Sequence, residues 1–421
     1  MTEFNHLDTR FIDYYFEAPL CHGNAKSSKL KLYARIITNA ALEKSGAPYL
    51  LYLNGGPGFE CMRPTTRSGF IDAALDHYRI VLLDQRGTGN SSAFDLNLLS
   101  HFSDAEAIAD YLSNFRADSI VRDAEILREK LGVSSWDAFG QSFGGFCILT
   151  YLSLFPKALT RAMITGGLPP IGKSAFAVYQ ATHARMLSKN QDYFRRFPED
   201  EKLCIEITQN LRENKPTLPS GIPLTTSRFQ QLGLLLGKTH GAVELHHILS
   251  AAFVDEKRQQ LSFRFLQAVE NQTSAFETNS LYALLHESIY CEGEASRWAA
   301  ERSRKNFPAL NSDSSPFRFT AEMIYPSFFH DYRGLKRLEE AANILAEKDD
   351  WSSLYDEEQL ADSDCRVSAL VYEDDLFVEK EFSLEAAKML AHCNVWITNE
   401  YEHDGLRQDP KRIFERLLKL S

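Results

Sequence analysis

Trp136-Asp137-Ala138-Phe139-Gly140-Gln141-Ser142-Phe143-Gly144-Gly145-Phe146 is the stretch from which the rest of the chain can be read. It places G-x-S-x-G between a strand-like run and a segment that reads as a helix over 143–154. A serine on a tight strand-to-helix turn projects its hydroxyl from a sheet, and small neighbours let the backbone fold that sharply. The helix N-terminus beyond it offers N–H groups and a favourable dipole to a developing oxyanion. Ser142 is therefore the candidate nucleophile. Serine rather than aspartate at this point disfavours an alkyl-enzyme mechanism.

Upstream, Tyr49-Leu50-Leu51-Tyr52-Leu53 and Ile80-Val81-Leu82-Leu83 are continuous apolar runs, each ending in a glycine-rich loop. Continuous runs suit strands buried on both faces, as in a parallel sheet. Residues 30–37 alternate loosely and read as another strand. Ile120, Ala124, Leu127 and Leu131 recur at helical spacing, with Asp118 or Ser119 placed to cap. Strands alternating with helices argue for an α/β sheet.

The loop Asn54-Gly55-Gly56-Pro57-Gly58 directly follows a strand, so its backbone can approach a reacting carbonyl. Gly56 and Phe143 are the candidate backbone donors of an oxyanion hole. Asp84-Gln85-Arg86-Gly87-Thr88-Gly89-Asn90-Ser91 lacks the lysine and spacing of a phosphate loop, and reads as an ion pair or turn network shaping the floor of the site.

Three textures divide the chain: 1–170 as the first part of the sheet domain, 171–345 as an insertion, and 346–421 as its second part. The insertion is rich in helix formers interrupted by prolines such as Pro198, Pro216 and Pro308, and reads as a mostly helical cap. Beyond it, 367–372 and 395–398 read as strands. Ser383 is placed to cap an intervening helix, and Pro410 to open the last one. The fold expected is an α/β-hydrolase fold: a mostly parallel central sheet interrupted by a helical cap.

Acyl transfer by serine needs a base and a carboxylate that orients it, and in this fold both follow the serine. Asp374-Asp375 lies just past one C-terminal strand, and spacing does not choose between the two. His403 lies past the next strand, before the sharp-turn pair Asp404-Gly405. His392, at a predicted helix end, is the rival base.

Composition narrows the class. In 421 residues, 44% are hydrophobic and 24% charged, the balance of a globular chain. A net charge of −11 argues against nucleic acid or an anionic membrane as partner. Met1-Thr2-Glu3-Phe4-Asn5-His6 carries no secretory pattern, and no run approaches the roughly 18 apolar residues of a membrane span. Seven scattered cysteines without C-x-x-C spacing read as free thiols of a reducing cytoplasm. Glu244, His246 and His247 match no metal motif, and no metal or organic cofactor is expected. Cys147 and Cys291 read as structural thiols.

Across nearly its whole length the chain resembles the proline iminopeptidases, particularly their longer bacterial form. The resemblance rests on Gly55-Gly56-Pro57-Gly58, Asp84-Gln85-Arg86-Gly87-Thr88-Gly89 and Gly140-Gln141-Ser142-Phe143-Gly144-Gly145. It extends to His286-Glu287-Ser288-Ile289-Tyr290-Cys291, Phe319-Thr320-Ala321-Glu322-Met323-Ile324-Tyr325-Pro326, Asp375-Leu376-Phe377-Val378 and Asn399-Glu400-Tyr401-Glu402-His403. Asn54 departs from it, since shorter members carry histidine there. The resemblance implies a serine aminopeptidase that releases N-terminal proline from peptides, with Asp375 rather than Asp374 in a triad with Ser142 and His403. It further implies Glu287 and Glu322 as partners of the substrate amine, and Tyr290 and Tyr325 as walls of the proline pocket. A monomer or small homo-oligomer is expected. The alternatives are a carboxylesterase or amidase acting on neutral substrates with the same triad, and a silent binding protein on the same scaffold.

Overall fold

The computed structural model describes residues 2–421. Nine strands form one sheet: β1 (Thr2–His6), β2 (Thr9–Pro19), β3 (Lys29–Thr38), β4 (Tyr49–Leu53), β5 (Arg79–Asp84), β6 (Trp136–Gln141), β7 (Leu159–Thr165), β8 (Arg366–Tyr372) and β9 (Cys393–Thr398). Their order is β1-β2-β3-β5-β4-β6-β7-β8-β9. β1 to β3 form an antiparallel meander joined antiparallel to β5, and every pairing from β5 through β9 is parallel.

The apolar runs are continuous because both faces of the parallel strands are covered. Leu51, Leu53, Val81 and Leu83 point into one core, while Leu50, Tyr52, Ile80 and Leu82 point into the other. The second core is closed by the helices Gly69–Ala74 and Pro410–Leu420 through Phe70, Ile413, Phe414 and Leu417. The first is closed by Ala117–Lys130 and Phe143–Leu154.

Chain order and sheet order diverge at β4. From β4 the chain passes to β5 on one side and then returns to β6 on the other. The loops after β4 and β6 therefore leave a crevice between them at the carboxyl ends of the strands, where open α/β sheets bind ligands. The glycine loop and Ser142 border that crevice.

No regular strand lies between β7 and β8 among the described residues; helices such as Ala175–Arg196, Pro198–Asn214 and Gly241–Ser250 fill the interval. Pro198 separates the first two and opens the second, where its missing N–H costs nothing. The buried Arg116 ties these helices to the sheet, donating to the carbonyls of Ser288 at 3.0 Å and Cys291 at 2.5 Å.

Three local expectations are corrected. The helix expected to be capped by Asp118 or Ser119 begins at Ala117, with Arg116 at the cap and Asp118 inside the first turn. Ser383 lies within the helix Lys380–Met389, buried, with its hydroxyl donated to the Leu168 carbonyl at 3.4 Å. The β1–β2 hairpin precedes the first strand read from sequence.

Candidate active site

Ser142 joins β6 to the helix Phe143–Leu154 at φ 54° and ψ −127°. A positive φ at a residue with a Cβ costs on the order of 1–3 kcal/mol and persists only where the surroundings enforce it. Here the Ser142 amide donates to the Thr165 carbonyl at 2.9 Å, and its carbonyl accepts from Gly145 at 2.8 Å. Gly144 allows the turn to sit against β4, since a Cβ there would lie 1.9 Å from the Leu53 carbonyl oxygen.

The glycine loop reaches the serine. A Cβ on Gly55 would stand 3.1 Å from the Ser142 Cβ. Gly56 follows at φ 148°, and Phe143 is the first residue of its helix, so its amide has no intrahelical acceptor. Below, buried Asp84 accepts from the amides of Cys61 at 3.0 Å and Asn90 at 2.8 Å and pairs with Arg63. Arg86 is gripped by Asp123 at 2.6 and 2.7 Å. Asp84 and Arg86 thus each enter an ion pair of their own, with Arg63 and Asp123 respectively.

Asp375 and His403 meet across the loops that follow β8 and β9, with Nδ1 of the imidazole 2.8 Å from Oδ2. The other carboxylate oxygen accepts from the amides of Phe377 at 2.8 Å and Val378 at 3.1 Å, which fixes its orientation. Asp374 points outward to Arg185 at 3.0 Å, with 61% of its side chain exposed. His392 is exposed, on the turn before β9. Burial by itself disfavours the imidazolium of His403. The charge and hydrogen bond of Asp375, helped by Glu322 and Asp404, outweigh it and raise the pKa above the ordinary histidine value.

Between the Ser142 backbone and the His403 ring lies a segment that sequence reading missed, Gly166-Gly167. At the end of β7, a Cβ on Gly166 would lie 3.2 Å from the His403 Cε1, and one on Gly167 would lie 2.2 Å from the Ser142 carbonyl oxygen. The signal was the Gly-Gly pair after a strand, which carries no chemical motif of its own.

The two cap glutamates have different surroundings. Glu322 is 22% exposed at its side chain. Its oxygens face the Tyr282 hydroxyl, which donates to Oε1, and the His286 Nε2, 3.4 Å from Oε2. Burial pushes its pKa up to about 8; the charge on His403 lowers it and that of Asp375 raises it. His286 is itself held near 3 by burial, hence neutral, and its Nδ1 lies 2.9 Å from the Tyr179 hydroxyl. The tautomer that serves both partners carries the proton on Nε2.

Glu287 departs from the expectation. Its two oxygens accept from the amides of Ala299 at 3.0 Å and Ala300 at 2.9 Å, so it caps the short helix Ala299–Arg304 from a buried position. An unsatisfied helix start is a ready anion partner, and Glu287 supplies the anion from within the chain. Tyr325 also departs: its hydroxyl meets the His183 Nε2 at 2.9 Å and it is only 1% exposed, inside the cap core. Tyr290 is partly exposed and packs against Phe146 of the helix that follows Ser142, with centroids 6.1 Å apart.

Cys147 and Cys291 are buried, and burial raises both thiols, that of Cys291 to about 12. Among the described residues, Glu199, Asp200 and His246 gather ligand-type atoms within 4.8 Å. Asp200 Oδ2 there already accepts from the Tyr193 hydroxyl and sits 3.0 Å from the His246 Nδ1. No helix among the described residues is long and apolar enough to cross a membrane.

An α/β hydrolase fold family model matches residues 48–203. A proline iminopeptidase of Aeromonas sobria is 46% identical over 411 residues, covering 97% of this chain and 96% of that protein. Proline iminopeptidase aneH of Aspergillus aculeatus is 34% identical over 427 residues, covering 98% and 94%. With identity at that level along almost its entire length, this chain belongs to the proline iminopeptidase family, on an α/β-hydrolase fold.

Proposed function

We propose that this chain is a serine aminopeptidase that releases N-terminal proline from peptides through an acyl-enzyme. The observation that carries the reading is the 2.8 Å bond between His403 and Asp375, formed beside a serine held at positive φ. Nothing else in the fold requires a strained serine and a carboxylate-bound imidazole at the same sheet edge.

His403 takes the proton from the Ser142 hydroxyl as its oxygen attacks the carbonyl of the terminal proline. Asp375 holds the imidazole in the tautomer that presents Nε2 and stabilises the imidazolium that forms. The amides of Gly56 and Phe143 receive the oxyanion. His403 then gives its proton to the departing amine nitrogen. Water, deprotonated by the same imidazole, cleaves the ester; proline leaves and Ser142 regains its proton.

Recognition of the substrate amine falls to Glu322. A secondary ammonium has two N–H donors, and a carboxylate shielded from water binds such a donor more strongly than an exposed one. The Glu322 charge is felt at His403, which supports a place for it within reach of the reacting end of the substrate. Tyr290, partly open and packed on the nucleophile helix, is proposed as a wall for the pyrrolidine ring. Seven free cysteines support a cytoplasmic setting.

A panel of aminoacyl arylamides, with N-acetylproline arylamide beside proline arylamide, tests the reading. Preference for the free proline compound by a factor of 100 or more is expected. Equal turnover of the acetylated compound would instead fit an amidase or esterase indifferent to the amine.

A further inference from the structure

Thr239 belongs to the cap, in the turn between the 3-10 segment Gln231–Gly237 and the helix Gly241–Ser250. Its hydroxyl donates to Asp404 Oδ1 at 2.6 Å, and its amide donates to the same oxygen at 2.9 Å. The same hydroxyl accepts from the amide of Glu402 at 3.1 Å. Residues 402 and 404 are the chain neighbours of His403 on either side, so a single cap hydroxyl bridges both.

Other cap contacts converge on the same loops. Lys189 pairs with Glu402 at 2.5 Å. Its helix also sends Arg185 to Asp374 at 3.0 Å and Glu379 at 2.9 Å, residues on either side of Asp375. At Gly237 a Cβ would stand 2.3 Å from the Phe377 ring, and that ring packs edge-on against His403 with centroids 5.0 Å apart. The two loops carrying the acid and the base are thus braced by the cap as well as by the sheet.

We infer that Thr239 is a positioning residue for His403, through which the cap fixes the imidazole where it can reach the nucleophile. The inference rests on the reading of His403 as the general base. A base must keep its place to a fraction of an ångström, and a loop at a sheet edge does not provide that by itself. The Thr239 hydroxyl, acting as donor to one flank and acceptor from the other, opposes both translation and rotation of the loop.

Thr239→Val removes the hydroxyl while keeping the β-branched shape and the amide bond to Asp404; Thr239→Ser keeps the hydroxyl. For proline arylamide, Thr239→Val is expected to lower kcat at least tenfold with KM within twofold of wild type. Thr239→Ser is expected to restore kcat to within threefold. The labelling rate of Ser142 by a fluorophosphonate, which needs the base but no proline, is expected to fall in parallel. Wild-type kcat and labelling rate in Thr239→Val, or equal impairment of both variants, would overturn the inference. Unlabelled wild-type protein would instead count against the catalytic reading itself. Should Thr239→Val fail to fold, Thr239→Ala removes the same hydroxyl from a smaller side chain, with the same kcat loss expected and an unchanged kcat contradicting it.

Discussion

Gly166 and His403 share a space that one methyl group would fill. A Cβ on Gly166 would stand 3.2 Å from the His403 Cε1 and 2.8 Å from the ring of Tyr372, at a φ of 51° that L side chains rarely adopt. The next residue, Gly167, lies closer still to the backbone of Ser142, a Cβ there standing 2.2 Å from its carbonyl oxygen. The end of β7 thus lies between the backbone of Ser142 and the ring of His403. Gly166→Ala, strained at that φ and crowding the rings of Tyr372 and His403, is expected to shift the imidazole by a few tenths of an ångström and lower kcat on proline arylamide about tenfold. Steady-state kinetics on protein checked for fold by circular dichroism would show it, and a kcat within twofold of wild type would contradict it.

The adjacent aspartates are expected to separate by orders of magnitude. Asp375→Asn leaves the imidazole in the wrong tautomer, and kcat should fall about 10⁴-fold. Asp374 is a mostly exposed partner of Arg185, which keeps Glu379 as a second partner at 2.9 Å. Such pairs contribute at most about 1 kcal/mol, so Asp374→Asn should stay within threefold of wild type. Comparable losses in both variants would mean that the loop, rather than one carboxylate, sets the activity.

Glu322 links substrate choice to pH. Glu322→Gln should lower kcat/KM for proline arylamide at least 100-fold, while an ester without an amine changes by less than fivefold. The same group makes a stability prediction. Its folded pKa of about 8 lies above the ordinary value of 4.5, so the folded state retains a proton that the unfolded chain has lost. Its favourable contribution is therefore complete below about pH 4.5 and disappears as pH rises to about 8. Replacing it with an uncharged isostere should raise the melting temperature relative to wild type at pH 9, and by clearly less at pH 5. An equal difference at both pH values would show that Glu322 is ionised throughout.

Glu287 should behave as a structural cap. Its oxygens satisfy two amides at the start of the helix Ala299–Arg304. Weakening those bonds by Glu287→Gln should cost about 2 kcal/mol in denaturant unfolding. The ratio of activities on proline arylamide and a simple ester should stay within threefold of wild type. A selective loss on the arylamide would return Glu287 to the amine site.

The elements legible in the sequence were those whose local pattern and tertiary setting agree. The runs at 49–53 and 80–83 announce burial on both faces, and the G-x-S-x-G turn matches the backbone found at Ser142. The hairpin of β1 and β2 was missed because the buried side of β2 switches faces along the strand, Phe11 entering one core and Phe16 and Ala18 the other, with Ile12 to Tyr14 only partly covered between them. Spacing left Asp374 and Asp375 open; the resemblance favoured the second, and the fold brings that carboxylate to His403. The cap glutamates were harder still. Glu287 and Glu322 look alike in sequence, and only the amides of Ala299 and Ala300, a dozen residues downstream, distinguish a helix cap from a glutamate whose charge reaches His403. Thr239 and Gly166 carry no motif because their effect lies in what they touch.

The most direct measurement of the central claim is the turnover of proline arylamide by wild type and by Ser142→Ala, purified side by side and matched for fold. Wild type should release the arylamine steadily, and the alanine variant should lose about 10⁶-fold in kcat, since the partners of a proton relay act as one unit. An alanine variant within tenfold of wild type would contradict the account, because cleavage would then proceed without the Ser142 hydroxyl.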